Sequence, residues 1–160
     1  MTKHVAGELP KAGGTPWEDV DHVFKIAHTR KTHWVLYVLD LMKHEIVMYD
    51  TLSSDSAWSE TSRDFHFVAR NVPLLIDSYR IWDKKGLPYQ SCYPWTVRKY
   101  QTTPQQTNSW DCGVLSIKML ELLISNWPVK VMKPQLGPEF RRRYCAEIFE
   151  GTNLEPVLSL

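Results

Sequence analysis

Apolar positions fall first in short, alternating runs and later in one long continuous run, and this change separates predicted strands from predicted helices. D-H-V-F-K-I at 21–26 alternates weakly, and H-W-V-L-Y-V-L at 33–39 is dense in β-branched and aromatic residues; both are predicted strands. Lys43 and His44 interrupt the pattern. E-I-V-M-Y at 45–49 then supplies a third strand that ends at Asp50 and forms a hairpin with the second. Residues 53–63 are Ser-rich and read as a loop. Phe65, Val68, Ala69 and Val72 recur at helical spacing and predict a helix broken or kinked near Pro73. Gly86, Pro88 and Pro94 mark a connection, W-T-V-R-K-Y-Q at 95–101 alternates as a fourth strand, and Pro104 ends it.

From Cys112 to Ile124 the apolar run is too long for a strand and too apolar all round for a surface helix. It predicts a buried central helix with Asp111 as its cap. A last helix is bracketed by Pro138 near its first position and Gly151 just past its end. Residues 1–16, with Gly7, Gly13, Gly14, Pro10 and Pro16, predict a flexible leader, and 17–160 a single domain. The fold class is α+β, a small mixed sheet packed against the buried helix.

Composition narrows the function. With 160 residues there is room for one domain with a real core. A net charge of +1 leaves no sequence-wide footprint for nucleic acid, and Arg141, Arg142 and Arg143, the one dense basic cluster, are expected to be a solvated helix face. No stretch approaches the roughly 20 apolar residues that span a bilayer, and residues 1–16 lack the apolar core of a secretory signal. An intracellular protein with no membrane partner is expected. Cys92, Cys112 and Cys145 cannot all pair with one another, and their spacing gives neither C-x-x-C nor a Cys/His zinc pattern, so free thiols and no metal are expected.

Among these thiols, Cys112 stands at the start of the apolar helix. Unpaired N–H groups and partial positive charge at a helix N-terminus favour a thiolate there. Gly113 beside it lets a substrate backbone come close, and N–H groups at this point can help hold an oxyanion. Taken alone, such a Cys is more often packing than catalysis. The hairpin changes that weighting. Centring its turn between Leu41 and Met42 sets His33 directly opposite Asp50, with Cβ atoms about 5 Å apart, so that the carboxylate can hold one imidazole nitrogen and present the other to a thiol. Gln106, in the irregular segment before Cys112, is a candidate oxyanion donor, with Gln105 and Asn108 as alternatives.

In order along the chain, V-F-K-I, H-W-V-L-Y-V-L-D, I-V-M-Y-D-T-L, P-Q-Q-T-N-S-W-D-C-G-V and R-R-R-Y-C-A-E-I span roughly residues 20–150. Together they resemble the ubiquitin-like-protein-specific cysteine proteases, the papain-like family of SUMO and NEDD8 proteases with adenoviral relatives. The resemblance implies His33, Asp50 and Cys112 as a catalytic triad and Gln106 as the oxyanion donor. It implies Trp34, with Trp110 and Gly113, along a narrow passage for a Gly-Gly tail, and a ubiquitin-like modifier such as SUMO or NEDD8 as partner. It implies ordinary thiol hydrolysis by a monomer in nucleus or cytoplasm, with no cofactor. K-I-A-H at 25–28 departs from the apolar first strand of the family. Only residues 1–20 precede that strand, so part of the surface that grips the modifier is expected to be missing.

Two other readings keep the fold. An acetyltransferase of similar shape uses His, an acid and Cys, but with Glu where this chain has Asp50. A non-catalytic module binds a ubiquitin-like protein without cutting it.

Overall fold

The computed structural model describes residues 2–9, 14–88 and 93–151, so Cys92 lies outside the described residues. Four strands form one sheet in the order β1-β2-β3-β4: β1 (His22–Thr29), β2 (His33–Asp40), β3 (Glu45–Tyr49) and β4 (Thr96–Lys99). The first three are antiparallel neighbours and β4 joins β3 in parallel, which makes the sheet mixed, as expected. β1 runs past Ile26, the predicted end, through Ala27, His28 and Thr29. A parallel neighbour requires a crossover. Here the crossover carries α2 (Asp55–Ser78) and the short α3 (Ile81–Lys84).

β2 is buried at every position except Trp34, and alternation divides its side chains between two cores. Val35, Tyr37 and Leu39, with Ile46 and Met48 of β3, pack against Phe65, Ala69, Val72 and Ile76 of α2. Leu36 and Val38, with Val47 and Tyr49, pack against Leu115, Met119 and Leu122 of α4 (Cys112–Ile124) and Phe140 of α5 (Gly137–Glu150). The sheet therefore lies between two helical layers, which is why H-W-V-L-Y-V-L is nearly all apolar. Each fully buried Leu or Ile contributes about 1.5–3 kcal/mol.

α2 corrects the sequence expectation at both ends. It begins at Asp55, inside the segment read as a loop, where Ser54 Oγ accepts the Ala57 N–H at 3.1 Å as an N-cap. It also runs through Pro73 to Ser78. A helical proline lacks an N–H and so leaves the carbonyl four residues earlier without a helical donor. That carbonyl belongs to Ala69, and Trp95 N donates to it at 3.0 Å, so the vacated acceptor receives the residue that leads into β4.

Other expectations also shift. The first sixteen residues were read as a flexible leader, yet the short α1 (Thr2–Val5) carries Val5 into the core at 1% exposure. The β2–β3 hairpin pairs Leu36 with Tyr49 and Asp40 with Glu45, which centres its turn between Met42 and Lys43 instead of Leu41 and Met42. His44, with φ 55°, closes that turn. The Arg triplet is only partly a solvated face: Arg142 is exposed, whereas Arg143 is largely covered and reaches Glu147 at 2.7 Å and Glu121 of α4 at 3.3 Å.

Arg141 reaches back to the residue before the buried helix. Its Nε and Nη2 donate to Asp111 Oδ1 at 3.0 and 2.8 Å, and Nη2 also meets the Trp110 carbonyl. Asp111 makes no side-chain capping bond to α4, contrary to expectation, because its carboxylate is held by Arg141 and by Asn108 Nδ2 at 2.7 Å. Gly137 makes room for this arrangement. A Cβ there would lie 2.6 Å from Asp111 Cγ and closer still to Oδ2.

Gly137→Ala is therefore expected to push the carboxylate off Arg141 and to lower stability by about 1–3 kcal/mol, measurable by urea denaturation. A second prediction concerns His44, whose ring is buried edge-on against Trp82 at 4.7 Å and tilted on Trp95 at 5.7 Å. Burial holds its pKa below the ordinary value, against the opposing pull of Asp40. The unfolded chain then binds this proton more readily than the native one, so stability from this residue is complete above the unfolded value of about 6.5 and falls as pH drops through it. Thermal melts should show Tm falling between pH 7.5 and 5.5, with a shallower slope in His44→Asn, which also suits the left-handed backbone.

Candidate functional site

The start of β2, the end of β3 and the start of α4 bring the predicted residues to one place. Asp50 follows the last residue of β3 and has no solvent exposure; His33 opens β2 and is 4% exposed. Because the hairpin register is two residues away from the predicted one, they are diagonal on the same face and not directly opposed. They still meet: His33 Nε2 lies 2.7 Å from Asp50 Oδ1. An ionised carboxylate only accepts, so Nε2 carries the proton and Nδ1 is the nitrogen left for another partner.

Asp50 is ionised in spite of its burial. Desolvation pushes its pKa up, but the His33 hydrogen bond, the Leu52 amide and the charges of His33 and Arg30 outweigh it and hold the carboxyl below its ordinary value. Leu52 N donates to Oδ1 at 2.9 Å, and Arg30 Nη2 donates to Oδ2 at 3.0 Å. Arg30 was not identified from the sequence. It stands in the β1–β2 turn, twenty positions from Asp50, and no local spacing marks it.

The first turn of α4 lies against the start of β2. Ser116 Oγ donates to the Trp34 carbonyl at 3.4 Å, and a Cβ on Gly113 would stand 3.7 Å from Trp34 Cδ1. Cys112 and His33 are each one residue from that contact. Cys112 is 4% exposed, at the positive end of a 13-residue helix whose flanking Asp111 is neutralised by Arg141 and turned away from the helix N–H groups. A free carboxylate there would disfavour a thiolate.

Three amides were candidates for an oxyanion donor, and their bonds separate them. Gln105 Nε2 donates to the Asp50 and Thr103 carbonyls, both at 2.9 Å, and its Oε1 accepts Ser53 N at 2.9 Å. It staples the loop and has no donor to spare. Asn108 Oδ1 accepts the N–H groups of Trp110 and Asp111, and its Nδ2 holds Asp111, so it builds the turn before the helix. Gln106 is buried, with Thr51 Oγ1 donating to its Oε1 at 2.6 Å and its Nε2 donating to the Asn108 carbonyl at 2.6 Å. The Asn108 carbonyl, which only accepts, settles which end of the amide is nitrogen, and one Nε2 hydrogen remains over. Thr51 is a second residue that sequence reasoning missed.

Trp34 is 43% exposed beside His28, with ring centroids 4.9 Å apart, and Trp110 is 69% exposed. Both are unusually open for their size, and Trp34 flanks the Gly113 backbone. An apolar cavity of about 540 Å³, lined by Leu122, Trp127, Met132 and Phe140, lies toward the other end of α4 and is not part of this cleft. Among the described residues no group of His, Cys, Asp and Glu is arranged to hold a metal ion.

Comparison with known proteins identifies the fold and the family. The profile of the Ulp1 protease family, C-terminal catalytic domain, matches residues 2–153. The SUMO protease Ulp1 with its catalytic cysteine oxidised to a sulfenic acid superposes with a TM-score of 0.61 at 18% identity, covering 93% of this chain and 62% of that one. The C-terminal Ulp1 protease domain in complex with Smt3, the yeast ortholog of SUMO, gives 0.57 at 18% identity, covering 91% and 59%. The catalytic domain of a Ulp1-like SUMO protease from Chaetomium thermophilum gives 0.58 at 19% identity, covering 96% and 56%. This chain thus spans about three fifths of the length of those proteins, between 56 and 62%. At such identity the superpositions establish the fold, and with the family profile matched over nearly the whole sequence, the chain belongs to the Ulp1 protease family.

Proposed function

We propose that this domain is a cysteine peptidase that cuts after the Gly-Gly tail of a ubiquitin-like modifier, with SUMO as the first substrate class. The observation that carries the reading is the buried 2.7 Å bond between His33 Nε2 and Asp50 Oδ1, set beside a helix that begins with a cysteine. Support for SUMO comes from the Ulp1 domain in complex with Smt3, which shares this fold.

The chemistry follows from the assigned protons. His33 Nδ1 takes the proton of Cys112, and the thiolate attacks the carbonyl carbon of the last glycine. Negative charge then develops on the carbonyl oxygen, where the spare Nε2 hydrogen of Gln106 and the first N–H groups of α4 donate to it. As the C–N bond breaks, Nδ1 returns the proton to the departing amine and leaves a thioester on Cys112. Water, deprotonated by the same nitrogen, attacks the thioester; the modifier leaves as a carboxylate and the thiol is restored. Asp50 keeps Nε2 protonated and the ring oriented throughout, without itself taking a proton. Trp34, part exposed and lying against Gly113, is read as one wall of a passage suited to residues without side chains, the recognition chemistry of a Gly-Gly tail. Asp50 in place of Glu favours hydrolysis over acetyl transfer.

Incubation with SUMO, NEDD8 and ubiquitin probes bearing a C-terminal thiol-reactive group is expected to give an adduct with the SUMO probe, mapped to Cys112 by mass spectrometry. Binding without an adduct would mean a recognition module, and acetyl-CoA-dependent labelling a transferase. Cys112→Ala should abolish turnover while leaving the melting curve near wild type. Asp50→Asn should remain folded and lose about 10²- to 10⁴-fold in kcat, since the ring loses its fixed tautomer.

A further inference from the structure

Arg30 occupies a place that local chain preference argues against. Its φ is 49° and that of Lys31 is 62°, left-handed values that disfavour a side chain and that glycine or asparagine adopts more easily. Its guanidinium is mostly covered, at 12% side-chain exposure, and its Nε is a buried donor without a partner among the described residues. A turn that only had to reverse the chain would gain from losing this residue. What the arginine obtains in exchange is a forked grip. Nη1 and Nη2 both donate to the Leu52 carbonyl at 3.2 Å, and Nη2 also donates to Asp50 Oδ2 at 3.0 Å.

The turn itself is fastened from outside the sheet. Asp64 of α2 accepts the Arg30 N–H at 3.1 Å and also accepts the Thr29 hydroxyl. These bonds hold Asp64 below the ordinary carboxylate range, with the Thr29 hydroxyl contributing most. A line of contacts thus runs from α2 through Asp64 to the Arg30 turn, on to Asp50, and from Asp50 to His33. The charged and titratable groups facing Asp50 are Arg30 from the turn and His33 from β2. Asp64 and Arg63 of α2 stand one step further out. The segment before α4 offers only amides here, with Gln105 on the Asp50 carbonyl.

We propose that Arg30 is a positioning residue for the hydrolytic reaction: it fixes the plane of the Asp50 carboxylate, through which His33 is oriented. This rests on the triad assignment above. Two oxygens with separate duties, Oδ1 for the imidazole and the Leu52 amide and Oδ2 for the guanidinium, leave the carboxylate no rotation that preserves its bonds. A tilt of the carboxylate tilts the imidazole, and catalysis is sensitive to displacements on the order of 1 Å. Arg30 acts behind Asp50, so its effect belongs in kcat and not in substrate binding.

Arg30→Gln and Arg30→Lys are to be compared with wild type by steady-state cleavage of a SUMO fluorogenic substrate across pH, and by the downfield proton resonance of the His33 Nε2–H. Arg30→Gln should lower kcat about tenfold with KM within about twofold. Because a cation beside Asp50 is gone, the carboxylate protonates more easily. The acid limb of kcat/KM and the pH at which the downfield resonance disappears should therefore both move upward, by about half a pH unit or more. Arg30→Lys keeps the charge but not the fork, so its acid limb should stay near wild type while kcat falls several-fold. Should Arg30→Gln fail to fold, the lysine variant decides, and wild-type kcat there overturns the proposal. An unmoved resonance in folded Arg30→Gln overturns it whatever the enzyme cleaves. A resonance that moves in a protein inert toward SUMO sustains the positioning role and overturns the substrate class alone.

Discussion

A carboxylate with no exposure to water has to be met by donors on both oxygens, because an ionised group left unpaired in the interior would cost several kcal/mol or give up its charge. Around Asp50 that requirement organises three stretches of chain. β2 supplies the imidazole, the residues just after β3 supply the Leu52 amide, and the β1–β2 turn supplies a guanidinium. The turn leads directly into β2, whereas Asp50 and Leu52 come only after β3. The sheet brings them together: with β2 between β1 and β3, the turn that opens β2 and the segment that closes β3 lie at the same end.

Asp111 meets the same requirement with the opposite result. It too is nearly buried, and it stands beside the thiol, where a bare negative charge would oppose formation of a thiolate. Arg141 and Asn108 draw its carboxylate away from the helix, and Gly137 leaves the space into which it turns. Asp50 and Asp111 therefore differ in duty because of what surrounds them: one faces the imidazole, the other is tied to the last helix. The Arg triplet, by sequence a solvated cluster, supplies the neutralising charge.

Much of this was legible in the sequence for reasons that can be named. β2 and β3 lie between two apolar layers, so their strand character shows as continuous apolar runs, and Cys112 stands at the break between a polar segment and such a run. The register was misjudged by two residues because the polar break at Lys43 and His44 marks where a turn exists without saying which residue takes the left-handed conformation. The shared face survived the error because a shift of two preserves parity. The start of α2 was missed because serines dominate its first turns, although Trp58, Thr61 and Phe65 already recur at helical spacing and Thr61 is fully buried. Arg30, Thr51 and Asp64 carried no signal at all: their contacts join positions 20, 55 and 35 residues apart, and only the folded chain creates them.

Pro73 is the clearest case in which a residue that looks like a fault serves the fold. An ordinary residue there would offer its own N–H to the Ala69 carbonyl, which already accepts Trp95. The two donors would then compete, and the helix would be completed at the expense of the strand. By removing one contender, the proline makes the inner helix a docking point for a segment that arrives more than twenty residues later, and so links completion of the crossover to seating of the last strand. A substitution that raises helix propensity at this position would strengthen the element and loosen the assembly.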